Sequence, residues 1–253
     1  MKKSSFINII KINSILLIIC IFAFSIYFTG CDVEEPFEVE GSVPTLDSRA
    51  FTALDFPSAD GDSWEYVTNN GEISYTATIS GTKNIAGSTV RILKTDANIP
   101  TDYTSAAFGF PIRYFYFTKD LHSYLEYGYD LWVEFLGESG DTYFQRYQPK
   151  RVAWSFPLDE GKEWIVSKSY TEPYYTYTRK VISTNENVSV PAGNFSNVFH
   201  IQESVSAEGQ SDTFVIANYW LARGKGVIKY DYVDPYSDGV ITYELRRFSE
   251  NKR

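Results

Sequence analysis

Sulfur and imidazole are what this chain has least of: among 253 residues there are two cysteines, one methionine and two histidines. Cys20 lies inside an apolar N-terminal run and Cys31 directly after it, so nothing beyond Cys31 can form an intrachain disulfide there. Stability must come from a packed core, and a remainder of about 205 residues is ample for one. His122 and His200 alone are poor material for zinc, whose sites draw on His and Cys, and no metal site is expected. No Gly-x-Ser-x-Gly elbow is present, and His200 falls on the polar side of an alternating segment, where it reads as a solvated strand residue, as does His122. With 32 acidic residues a carboxylate pair for glycoside hydrolysis is permitted, yet no spacing marks one. The expectation is a non-enzyme with no catalytic residue and no cofactor.

The one long apolar run is N-terminal. Lys2, Lys3 and Lys11 precede Ile15 to Phe28, a run of 14 residues that is too short for a span of about 18 or more. It ends in Phe28-Thr29-Gly30-Cys31, where small residues fit a signal peptidase and the Cys31 thiol takes the lipid. Phe28 stands where a leucine is commoner. Residues 1–30 are thus expected as a lipoprotein signal peptide. Since each buried methylene contributes about 0.8 kcal/mol, a cysteine with two or three acyl chains would hold the protein on a membrane without a spanning helix.

Acidity excludes another class of partner. Three of the 23 basic residues and none of the 32 acidic ones precede Cys31, leaving a net charge of −12 beyond the signal. Nucleic acid and anionic headgroups would repel such a chain. Asp32, Glu34 and Glu35 follow the lipid site, and this cluster resembles the surface-export signal of lipoproteins from the Bacteroidetes group; the plainer reading is an acidic tether. The expected location is the outer membrane or cell surface, with the periplasm-facing leaflet as the alternative. Residues 31–46 read as a flexible stalk.

From 47 to 253 the period is two. Ile73, Tyr75, Ala77 and Ile79 alternate with polar residues, as do Leu125, Tyr127, Tyr129, Leu131, Val133 and Phe135, then Phe199, Ile201 and Val205, and finally Ile241, Tyr243 and Leu245. Turn signals at hairpin spacing separate them, among them Asn69-Asn70-Gly71, Gly137 to Gly140, Pro191 to Asn194, Glu208-Gly209-Gln210, Gly224-Lys225-Gly226 and Ser237-Asp238-Gly239. Asn98 to Phe110 is the least regular stretch and reads as a loop. The pattern predicts an all-β domain of about ten to twelve antiparallel strands, folded as a curved sheet or partly open barrel. Gly61-x-x-Trp64 and Gly161-x-x-Trp164 are either the starts of two related half-sheets meeting near 140–160 or two ordinary turns entering strands with an aromatic. Asp60, Asp62 and Glu65, and Asp231, Asp234 and Asp238, crowd carboxylates into turns without the spacing of a calcium loop; they read as solvated turns.

Three segments in order carry a family resemblance: Pro157-Leu158-Asp159-Glu160-Gly161-Lys162-Glu163-Trp164, Val190-Pro191-Ala192-Gly193-Asn194-Phe195, and Trp220 to Tyr230. They resemble a group of secreted bacterial lipoproteins with PL-x-x-G-x-x-W, vPAG-x-F and W-x-A-x-G-x-G-x-v-k-y segments. Leu221 and Arg223 depart from the commoner tyrosine and proline. The resemblance implies a curved antiparallel sheet similar to the half-barrels of bacterial lipoprotein carriers, with no established activity. The motifs themselves read as structural, with Gly224 and Gly226 suited to a hairpin.

The aromatics carry the functional expectation. Tyr114-Phe115-Tyr116-Phe117 and the run containing Tyr174, Tyr175 and Tyr177 put rings on both faces of their strands. The second face is either covered by a partner element or exposed as a binding surface. Tyr114, Tyr116, Tyr174, Tyr175 and Tyr177 are therefore the candidate ligand-binding residues. The expected role is a membrane-anchored binding protein whose concave face takes an apolar or amphipathic ligand such as a lipid. The alternatives are a surface glycan-binding module and an envelope scaffold or adhesion component.

Overall fold

Strand-period sequence becomes strands almost throughout. The computed structural model describes residues 50–68, 71, 74–97, 112–133, 141–169, 174–210, 212–233 and 239–251. The signal, Cys31, the stalk, the 98–110 loop, the 137–140 turn, Asp234 and Asp238 lie outside these residues. After a 3₁₀ turn at Ala53–Asp55 the described residues form β1 (Ser63–Thr68), β2 (Ser74–Ile85), β3 (Ser88–Ala97), β4 (Ile112–Lys119), β5 (Ser123–Val133), β6 (Asp141–Ser155), β7 (Glu163–Lys168), β8 (Tyr175–Val190), β9 (Gly193–Ala207), β10 (Thr213–Ala222), β11 (Gly226–Val233) and β12 (Val240–Ser249).

All twelve belong to one antiparallel sheet in the order β6-β5-β4-β3-β2-β1-β12-β11-β10-β9-β8-β7. Two six-strand meanders are thereby joined where β1 pairs with β12, with Trp64 opposite Phe248 and Tyr66 opposite Leu245. The sheet curls until its edges β6 and β7 approach each other. Across that seam Trp164 Nε1 donates to the Val152 carbonyl at 3.1 Å and Arg179 Nη1 to the Ala153 carbonyl at 2.5 Å. Among the described residues no backbone ladder joins β6 to β7. The domain is a nearly closed, partly open barrel, the all-β class that the alternation predicts.

The two meanders open alike. Gly61 N donates to the Ile79 carbonyl at 2.8 Å and Ile79 N returns a bond to the Asp62 carbonyl at 2.9 Å; Gly161 N and Val181, Val181 N and Lys162 do the same at 3.0 and 2.8 Å. Both glycines have positive φ, 90° and 79°. Each turn leads into a strand whose tryptophan donates to a carbonyl, Trp64 to Lys225 at 2.6 Å and Trp164 to Val152.

Because every hairpin reverses the chain, the β2–β3, β4–β5, β6–β7, β8–β9 and β10–β11 turns fall at one end of the barrel. Residues 50–62 cross and plug that end. Phe51 pairs with Leu158 through backbone bonds of 3.3 and 2.8 Å, and its fully buried ring meets Phe199 edge-on at 5.3 Å. Phe56 packs on Tyr124 and Trp154 at 5.5 and 6.0 Å. On opposite sides of the plug, Lys119 Nζ donates to the Ala53 and Phe56 carbonyls, and Gly224 N to the Asp55 carbonyl, at 2.6–2.7 Å. Asp62, one of the turn carboxylates, caps backbone there: Oδ2 accepts from Ala59 N and Oδ1 from Asn251 N.

The inward side chains at this end form the main core, which includes Trp64, Ile79, Phe117, Trp154, Val181, Ile201, Leu221, Ile228 and Leu245. A second cluster, Ile85, Val90, Tyr116 and Tyr127, lies on the outer face of β2–β5. A bulge explains it. The register slips between Glu126 and Gly128, so Leu125 and Tyr127 turn outward while Tyr129 turns inward beside Phe115. The simple alternation of Leu125, Tyr127, Tyr129 and Leu131 therefore does not hold across position 128. Gly128 has φ of 152°, and a Cβ there would overlap the Gln145 carbonyl, so only glycine lets β6 come this close.

Candidate functional site

Above the plugged core the barrel interior changes character. The first layer is aromatic hydroxyl: Tyr75 and Tyr230 share a hydrogen bond of 2.7 Å, Tyr230 stacks on Tyr243 at 5.0 Å, and Tyr66 OH donates to the Val227 carbonyl at 2.7 Å. Burial pushes the hydroxyls of Tyr66, Tyr75 and Tyr230 upward in pKa, so they stay protonated donors.

Beside it, at the β6/β7 seam, lies a layer of charge. Arg179 on β8 stands opposite Glu203 on β9, and its Nε and Nη2 reach Glu203 Oε2 at 2.8 and 2.7 Å. The guanidinium is sandwiched between the rings of Trp154 and Tyr219, at 4.3 and 4.4 Å. Tyr219 OH donates to the same Glu203 oxygen at 3.0 Å. Burial works to raise the Glu203 carboxyl, but the charges of Arg179 and Arg151 outweigh it and hold the group below the ordinary carboxylate range. Burial likewise opposes the charge on Arg179, and Glu203 more than restores it. Each of the three Arg179 nitrogens thus has a close acceptor.

Arg151 on β6 is used differently. Its polar contacts are Tyr147 OH at 3.3 Å, Glu203 Oε1 at 3.5 Å and Glu126 Oε2 at 3.6 Å, all long for charge-assisted bonds, and its guanidinium lies over the Tyr147 ring at 5.1 Å. Its Nε is buried without an acceptor. Its side chain is 24% exposed, against 6% for Arg179 and 5% for Glu203. Tyr147 packs on Tyr129 at 5.4 Å, which continues to Phe115 at 6.2 Å. Burial, then the Glu126 charge, keeps the Tyr147 hydroxyl protonated.

One strand step further, about 7 Å along β9, is an apolar row. Tyr177, Val205 and Phe214 stand opposite one another on β8, β9 and β10, in the same inward phase as Arg179 and Glu203, and Tyr175 follows opposite Ala207. Among the described residues this row is the more exposed part of the interior. Phe214 is 58% exposed and Tyr175 37%.

The five tyrosines singled out by sequence are not brought together. Tyr175 and Tyr177 point inward at this end, and Tyr174, 43% exposed, precedes β8. Tyr114 and Tyr116 belong to the outer cluster, where Tyr116 is 3% exposed and donates to Asp130 Oδ2 at 2.6 Å. Sequence reasoning missed Arg151, Arg179, Glu203 and Phe214, because strand pairing alone makes them neighbours; the one available signal was an arginine at an inward position of β8. His200 lies on the outer face, stacked on Trp220 at 4.7 Å, with its ring nitrogens 3.0 Å from Glu186 and Asn218. His122 is exposed in the β4–β5 turn.

No protein-family model and no curated protein matches the chain. Two solved structures are similar to it. One is a protein from Bacteroides fragilis named as exported and of YmcC-like fold, at 14% identity and TM-score 0.36, covering 79% of this chain and 100% of that one. The other is a protein from Parabacteroides distasonis named as a lipoprotein, at 12% identity and TM-score 0.34, covering 79% of this chain and 99% of that one.

Proposed function

We propose that this protein is a non-enzymatic lipoprotein, held at the outer membrane or cell surface by lipid on Cys31, whose barrel takes an apolar or amphipathic ligand at the end opposite the plug. Phe214 carries the reading. It is a phenylalanine in an inward register, flanked by Tyr177 and Val205, and more than half of it is exposed. Fully burying such a side chain stabilises by about 1.5–3 kcal/mol, and an apolar ligand supplies that cover where the protein does not. The concave placement of Tyr175 and Tyr177 favours enclosure over the flat exposed strip on which sugars stack. An anchoring lipid suits such a role, since it keeps the barrel beside a membrane that supplies amphiphiles.

The test uses the full chain in neutral phospholipid vesicles and a diazirine-bearing methyl palmitate. Labelled peptides are expected from β8 to β10, with labelling lowered by Phe214→Ser. Labelling confined to the N-terminal segment, with binding on a glycan array, would overturn the reading in favour of a glycan-binding module.

A further inference from the structure

The barrel interior holds two arginines in one layer and uses only one of them fully. Arg179 has its fork on Glu203, its third donor on the Ala153 carbonyl and a ring on each face. Arg151 has three long contacts and a buried Nε with no acceptor. Leaving a buried donor unpaired is unfavourable by about 1–3 kcal/mol, so the fold keeps a guanidinium where its own groups do not satisfy it. Arg151 is also the more exposed of the two, with one face on the Tyr147 ring and Nη1 3.3 Å from its hydroxyl. One strand step from this layer, the walls become Tyr177, Val205 and Phe214.

A guanidinium whose acceptors are all at long distance, next to a partly exposed apolar row, matches a ligand with one acidic head and an apolar body. We infer that Arg151, with Tyr147 beside it, receives the carboxylate of a single-headed amphiphile whose apolar part lies along Tyr177, Val205 and Phe214. This rests on the reading above and adds to it the chemical class of the head group. A carboxylate offers two oxygens to the Arg151 fork, the two-point geometry that suits a guanidinium. Glu203 competes only weakly: Arg179 and Tyr219 hold its Oε2, and its Oε1 reaches Arg151 at 3.5 Å. Glu126 and Glu203, both within 3.6 Å of the same guanidinium, repel any anion, and a doubly charged phosphate head about twice as strongly as a carboxylate, so the singly charged head is preferred.

The experiment compares diazirine-bearing palmitate with its methyl ester on the full chain in neutral vesicles. Wild type should label the β8–β10 peptides about tenfold more with the acid than with the ester, the size of one charge-assisted interaction. Arg151→Gln should bring the acid down to the ester's level and leave the ester unchanged, which also shows that the barrel is folded. If that variant loses the ester as well, Arg151→Lys decides: it keeps the charge and should retain part of the preference. Equal labelling of wild type by acid and ester, or an undiminished preference in Arg151→Gln, overturns the carboxylate anchor while leaving the apolar site standing. Absence of labelling from either probe overturns both.

Discussion

Arg179 and Glu203 meet across β8 and β9 at 2.7 Å, with no more than 6% of either side chain exposed. Neither has water to replace the other. Removing one partner leaves a buried charge, which is unfavourable by about 3–5 kcal/mol. Glu203→Gln should therefore lower the unfolding free energy at neutral pH by an amount of that order, read from urea denaturation. The Glu203 carboxyl titrates lower in the barrel than its ordinary value of 4.5. Its contribution is thus fully present above that value and is lost as the pH falls through it toward the lower folded value. Between neutral pH and pH 3 the wild type should lose more stability than Glu203→Gln, and parallel losses would refute the assignment.

Gly128 and Gly81 separate two reasons for glycine. Both have positive φ, 152° and 72°, and both lie at register slips of the sheet. A Cβ at 81 meets nothing within 4 Å, whereas one at 128 meets the Gln145 carbonyl and Arg146 Cα. Gly81→Ala should cost about 1–2 kcal/mol from backbone conformation alone, and Gly128→Ala clearly more, since β6 must move. Equal losses by thermal melting would show that the bulge at 128 gives way freely.

Phe51 and Phe214 represent the plugged end and the end opposite it. Phe51 is fully buried among Phe156, Phe199 and Phe56. Phe51→Ala should lose about 3–5 kcal/mol through cavity formation. Phe214 is mostly exposed, and Phe214→Ala should change stability by less than about 0.5 kcal/mol. If bound amphiphile raises the melting temperature of wild type but not of Phe214→Ala, the two effects are separated in one measurement.

How much of this was readable in advance follows from the physics of each feature. Period-two alternation reports burial on one face, and Ile201, Tyr243 and Leu245 occupy the inner face as their segments suggested. A bulge adds one residue and inverts every later position, which is why Leu125 and Tyr129 share a phase in sequence and opposite faces in the barrel. Closure of the seam and the charged layer depend on pairing: Arg179 and Glu203 are 24 residues apart, Arg151 and Glu203 52. No local pattern encodes such distances. The Gly-x-x-Trp echo was visible as letters; that both copies make the same backbone bonds to Ile79 and Val181 was not.

The anchor can be separated from the barrel. Cys31 is the only thiol beyond the apolar N-terminal run, and the core formed by Phe51, Trp64, Ile201 and Leu245 uses no sulfur. Cys31→Ser should therefore remove acylation and processing without altering the fold. In a lipoprotein-competent host, labelling with a clickable palmitate should be lost and the chain's outer-membrane fraction depleted. A protease-resistant fragment beginning near Ala50 should persist with an unchanged melting temperature. Acyl label retained by the Cys31→Ser chain would place the lipid elsewhere, and loss of the resistant fragment would show that the barrel depends on its tether.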